Sequence, residues 1–104
     1  MQLLDFISLV AKARQPGLPS VAEQLNVDPD YTEVYMKGAL ALDAELVFLD
    51  SEETDLLIYE KEGQRYFSFF SLWQLLEAVD EMLSEKISPE AIAARLLEYR
   101  INDA

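Results

Sequence analysis

Apolar residues recur along the chain with two different spacings, and the change from one to the other separates helices from strands. Leu3, Ile7, Val10 and Ala11, flanked by Leu4 and Phe6, share a broad helical face over residues 3–14, and Pro16-Gly17 supplies the stop. After Pro19, Ser20 precedes Glu23 by three positions, a spacing at which each side chain can bond the other's backbone amide. A short second helix to Leu25 is predicted there. Asp28-Pro29-Asp30 reads as a turn. Residues 31–42 carry mixed signals: Val34, Tyr35 and Met36 suit a strand and Ala39 to Leu42 a helix, and a strand near 33–36 is preferred.

The middle of the chain is rich in β-formers. Glu45-Leu46-Val47-Phe48-Leu49 and Leu56-Leu57-Ile58-Tyr59 are strand-like runs separated by the polar stretch from Asp50 to Asp55. A third run, Arg65-Tyr66-Phe67-Ser68-Phe69, follows Glu62-Gly63. A two-residue turn there pairs Glu60 with Arg65, Tyr59 with Tyr66, Ile58 with Phe67 and Leu56 with Phe69. That register sets opposite charges across from one another. It also segregates Leu56, Ile58, Phe67 and Phe69 from Leu57, Tyr59, Tyr66 and Ser68.

Ser71 then opens a helix with Gln74 at the capping-box position, and Leu72, Leu75, Leu76, Val79 and Leu83 form a stripe that can cover a sheet face. The last helix starts at Ser88, with Pro89 in its first turn, Glu90 near the positive end of the dipole and Ile87 placed to pack on Ile92. Ile92, Leu96 and Tyr99 continue its face. The expected architecture is α+β: a small antiparallel meander of three or four strands, helices before and after it in sequence, packed on one face. At 104 residues the chain has material for one core, so residues 1–104 are read as one domain.

Composition narrows the function. The formal charge is −12, with neither histidine nor cysteine. A charge this negative repels phosphate backbones and anionic membrane surfaces, so the expected counterpart is a basic protein. Without cysteine or histidine there is no disulfide, thiolate, imidazole base or Cys-rich zinc site, and serine triads cannot be assembled. Carboxylate pairs exist by abundance alone, so they do not point to a glycosidase, and no enzymatic activity is expected. Asp28, Asp30 and Thr32 have the odd spacing of a calcium loop, but Glu33 stands where glycine is needed and Ala39 where the bidentate glutamate is needed. Glu52, Glu53 and Asp55 read as a solvated loop, and no metal or cofactor is expected. Gly17, Gly38 and Gly63 are isolated and form no phosphate loop. The N-terminal stretch has no basic n-region and its apolar residues are interrupted by Asp5 and Ser8. It is neither a signal peptide nor a membrane span, so a cytoplasmic location is expected.

The acids are clustered. Residues 43–62 hold eight acids and one lysine, residues 77–90 five acids and one lysine, and the remainder is close to balance. Solubility explains some of this. It does not explain Glu77 and Glu81, like charges one helical turn apart, which destabilise a helix by about a few tenths of a kcal/mol. A concentrated negative field accelerates encounter with a basic protein and orients it. The candidate partner-binding set is therefore Glu45, Asp50, Glu52, Glu53, Asp55, Glu60, Glu62, Glu77 and Asp80, with Tyr59, Tyr66 and Trp73 as aromatic anchors. A tryptophan at the start of a packed helix can equally belong to the core, and a cross-strand tyrosine pair can simply stiffen a hairpin.

Size, charge and the run Tyr66-Phe67-Ser68-Phe69-Phe70-Ser71-Leu72-Trp73-Gln74-Leu75-Leu76, a strand feeding directly into an amphipathic helix, resemble the small acidic immunity proteins of bacterial secreted-toxin systems, including those of contact-dependent growth inhibition. The resemblance covers the C-terminal half better than the first 42 residues and carries over no binding residue. It implies a non-enzymatic inhibitor that masks the basic active site of a cognate toxin, typically a nuclease; such a protein can act as a monomer, the state favoured here, with a dimer left open. The alternative is a homodimeric secretion-effector chaperone of the small acidic type, which requires exposed apolar grooves.

Overall fold

The computed structural model describes residues 1–13, 17, 19–51 and 57–102. Helices α1 (Leu3–Ala13) and α2 (Pro19–Leu25) lead through a 3-10 turn at Pro29–Tyr31 into strands β1 (Thr32–Lys37), β2 (Leu46–Asp50), β3 (Ile58–Lys61) and β4 (Gln64–Ser71). Helices α3 (Leu72–Ser84) and α4 (Pro89–Asn102) follow. The antiparallel α+β class is the one expected. The strand order, β2-β1-β4-β3, is that of two local pairs set side by side instead of a sequential meander. Residues 32–37, ambiguous in sequence, form a central strand. Val34 and Met36 are fully buried beneath the helices and Tyr35 is buried on the other face, so apolar content on both sides drives β1 inward.

The helices lie on one side of the sheet. Their apolar stripes close over Val34, Met36, Leu46 and Phe69, with α1 packed against both α3 and α4 and Phe6 set 6.3 Å from Phe48. In α1 the buried positions are Leu3, Phe6, Ile7, Val10 and Ala13. Ala11 was expected on this face and is exposed, because Phe6 and Ala13 rotate the stripe away from it. The hairpin register is as expected at Ile58↔Phe67, Tyr59↔Tyr66 and Glu60↔Arg65, while the Leu56 pairing lies outside the described residues. Glu62 (φ 54°) and Gly63 (φ 79°) both adopt positive φ, the I′ geometry that matches the twist of the flanking strands.

A β-bulge reshapes β4. Val34 pairs with Phe70 but Tyr35 pairs with Ser68, which leaves Phe69 as the extra residue. Phe69 and Phe70 therefore both turn toward the helices, with ring centroids 4.6 Å apart. The capping box of α3 forms as predicted: Ser71 Oγ accepts from the Gln74 amide and Gln74 Oε1 from the Ser71 amide. The one expected at Ser20 does not form. Ser20 lies inside α2 and its hydroxyl donates to the Gly17 carbonyl. At the other end of α3, Lys86 takes a left-handed conformation (φ 62°); its amide bonds Leu83 O and that of Ile87 bonds Met82 O, closing the helix.

Candidate functional site

The sheet face turned away from the helices is built by strand alternation. One row runs from Glu45, just before β2, across β1, β4 and β3: the Lys37 amide bonds Glu45 O, Lys37 pairs with Tyr66, and Tyr66 with Tyr59. The tyrosine rings are 6.0 Å apart, tilted by 37°, and both are half-buried. In the neighbouring row Val47, Tyr35 and Ser68 lie side by side, and beyond them come Leu49, Glu33 and Ser71. No described helix packs on this face, so Tyr59 and Tyr66 keep access to solvent as the anchor hypothesis requires. Tyr35 is only 1% exposed. Glu33, partly buried among these groups, has its carboxyl raised above the usual glutamate range by loss of hydration.

Among the described residues the predicted acids do not gather around these tyrosines. The segment 43–62 supplies both edge strands, so the charge of its described residues divides between opposite sides of the sheet, about 14 Å apart at ~4.8 Å per strand step. Glu45 and Asp50 belong to the β2 side and Glu60 and Glu62 to the β3 side. Alternation points Asp50 and Glu60 toward the helical face, with their partners Thr32 and Arg65. Glu60 Oε2 is 3.5 Å from Arg65 Nε, an exposed pair that offsets part of the local charge and contributes little to stability. Glu52, Glu53 and Asp55 lie outside the described residues. Glu77 and Asp80 sit on α3, in the other layer.

Trp73 belongs with the core more than with a free surface. It packs against the buried cluster, half-buried, and its indole N–H donates to Asp30 Oδ1. Asp30 is held in turn by the 3-10 turn, where Asp28 Oδ1 accepts from its amide at 3.0 Å. The acids of the rejected calcium loop thus have a structural use. Among the described residues no three acids converge on one point.

The helical layer carries a second candidate surface that sequence reasoning missed. Between α3 and α4 runs a cleft of about 410 Å³ lined by Phe70, Gln74, Ala78, Met82, Arg95, Leu96 and Tyr99. Tyr99, expected in the core, is 62% exposed and stacks on Phe70 at 6.2 Å. The available signal was Phe69-Phe70: two adjacent large apolar residues in an alternating strand imply a bulge, and the second needs a surface of its own. Glu77, Glu81 and Glu85 are all exposed on the α3 side.

No protein-family model, curated protein or solved structure matches the chain. Among the described residues no helix is long and apolar enough to cross a membrane.

Proposed function

We propose that this chain is a non-enzymatic, acidic binding protein that neutralises a basic protein partner, in the manner of a cytoplasmic immunity protein masking the active site of a toxin. The observation that carries this is the exposed row Glu77, Glu81 and Glu85 on the α3 side. Like charges one turn apart weaken the helix, and the described ion pairing does not involve them. A macromolecule bearing lysine and arginine supplies the missing compensation, and carboxylates can take the positions that phosphates occupy in a nuclease cleft.

The test is association with a basic secreted domain encoded by an adjacent reading frame, followed by surface plasmon resonance. The on-rate is expected to fall steeply as ionic strength rises from ~0.05 to ~0.5 M. Glu77→Lys with Glu81→Lys should lower it further at low salt and leave the circular dichroism spectrum unchanged. Neighbouring products that neither bind nor lose activity would overturn the proposal.

The chaperone alternative draws on the exposed apolar side chains Leu57, Ile58, Tyr99 and Ile101. It demands a stable homodimer, so light scattering separates the two: a monomer removes the chaperone, and a dimer that binds only unfolded effector segments removes the inhibitor.

A further inference from the structure

We infer that the cleft between α3 and α4 receives an amphipathic helix of the basic partner, apolar side down, with lysine or arginine along the flank that meets α3. This deepens the functional proposal and rests on it, because it names the part of the partner and the part of this chain that meet. The cleft exists because of the bulge in β4. With Phe69 filling the core, Phe70 is displaced outward and becomes the floor, stacked on Tyr99 with an interplanar angle of 22°. Ala78 and Met82, one turn apart, form the α3 wall, and the small Ala78 side chain lets that wall recede.

Shape and charge select the same occupant. At 100° per residue, Glu81 and Glu77 follow Ala78 on the solvent side of α3, and Glu85 caps the helix end. The α4 wall contributes Arg95 to the cleft, so the negative charge lies on the α3 flank alone and the cations of the guest belong on that side. α3 has 13 residues, roughly 20 Å of axis, enough for a guest helix of three turns with apolar anchors at i, i+4 and i+7. A second copy of this chain fits less well, since each copy brings a charge of −12.

The experiment titrates the ¹⁵N-labelled full chain with two synthetic helical peptides that share the same leucine anchors, one flanked by lysine and the other by glutamate. The lysine peptide is expected to shift the amides of Ala78, Met82, Leu96 and Tyr99, and to bind about tenfold more tightly than the glutamate peptide at low salt. Ala78→Trp, which fills the cleft, should weaken binding about tenfold or more. Should that variant fold poorly, the exposed Glu81→Lys removes the preference for lysine while leaving the melting temperature the same or slightly higher, because it relieves the repulsion with Glu77 and Glu85. Equal affinity for both peptides, shifts confined to the Tyr59/Tyr66 face, or no binding at millimolar peptide overturns the inference. With the intact basic partner, salt-dependent binding that survives Ala78→Trp overturns helix docking alone; loss of all salt-dependent binding in the unmutated chain overturns the function as well.

Discussion

Arg100 reaches from the last turn of α4 to the edge of the sheet, where its Nε donates to the Ser68 carbonyl at 2.9 Å. The Ser68 amide bonds Leu57 O, just before β3 begins at Ile58. Among the described residues β3 does not flank all of β4, and the guanidinium supplies a donor to Ser68 at the end of the described ladder. Arg100→Ala should lower stability by about 1.5 kcal/mol or more, the range for a hydrogen bond from a charged donor. Urea denaturation tests this: the midpoint should fall with an unchanged slope.

Leu76 is fully buried in α3 at the centre of the helix-on-sheet contact. Leu76→Ala should cost about 2–5 kcal/mol by leaving a cavity that the surrounding core cannot collapse into. A loss below ~1 kcal/mol would show that α3 does not anchor the sheet.

Trp73 and Asp30 join two parts of the chain that are 43 residues apart. Trp73→Phe keeps most of the packing and removes the donor, so a loss of about 1 kcal/mol is expected. Asp30→Ala should alter the tryptophan emission without exposing the ring to quencher. A large gain in quenching would instead mean that the bond alone holds the indole in place.

Two non-glycine residues hold left-handed conformations at turns, Glu62 in the β3–β4 hairpin and Lys86 after α3. Glu62→Asn, which suits an I′ turn before Gly63, should add roughly 0.5 kcal/mol. Lys86→Gly should add up to about 1 kcal/mol by removing the Cβ clash, less what is lost in helix-dipole attraction. Thermal denaturation of each variant gives the sign.

Glu33 supplies a pH dependence. Its folded-state pKa lies above the ordinary 4.5, so the folded chain holds the proton more tightly than the unfolded chain. The associated stability is full below about 4.5 and is lost as pH rises through the raised value. Glu33→Gln should flatten that part of the melting-temperature profile. Identical slopes in both proteins would show that Glu33 is fully hydrated in the folded state.

The readable parts of this fold were those governed by local chemistry. Ser71 and Gln74 announced the start of α3, Ser88-Pro89 that of α4, and Glu62-Gly63 fixed the hairpin register, because caps and tight turns depend on neighbours in sequence. Strand order did not follow from such signals: β1 is central because it buries both faces, and its pairing with β4 joins distant parts of the chain with no local signature. The site was legible in composition and not in place. The described acids of residues 43–62, Glu45 and Asp50 against Glu60 and Glu62, separate onto opposite sheet edges, and the α3/α4 cleft depends on a bulge that simple alternation hides.

The side-by-side strand order also dictates how the chain must assemble. β1 with β2 and β3 with β4 can each zip through short loops, but Val34 must find Phe70 across some three dozen residues, and among the strand pairings that closure carries the largest entropic penalty. The meeting of the two hairpins along β1 and β4 is therefore expected to limit the folding rate. Core substitutions at Val34 or Met36 should slow refolding, and changes at Glu62, whose hairpin is already formed at that point, should also act on the folding rate and leave the unfolding rate nearly unchanged.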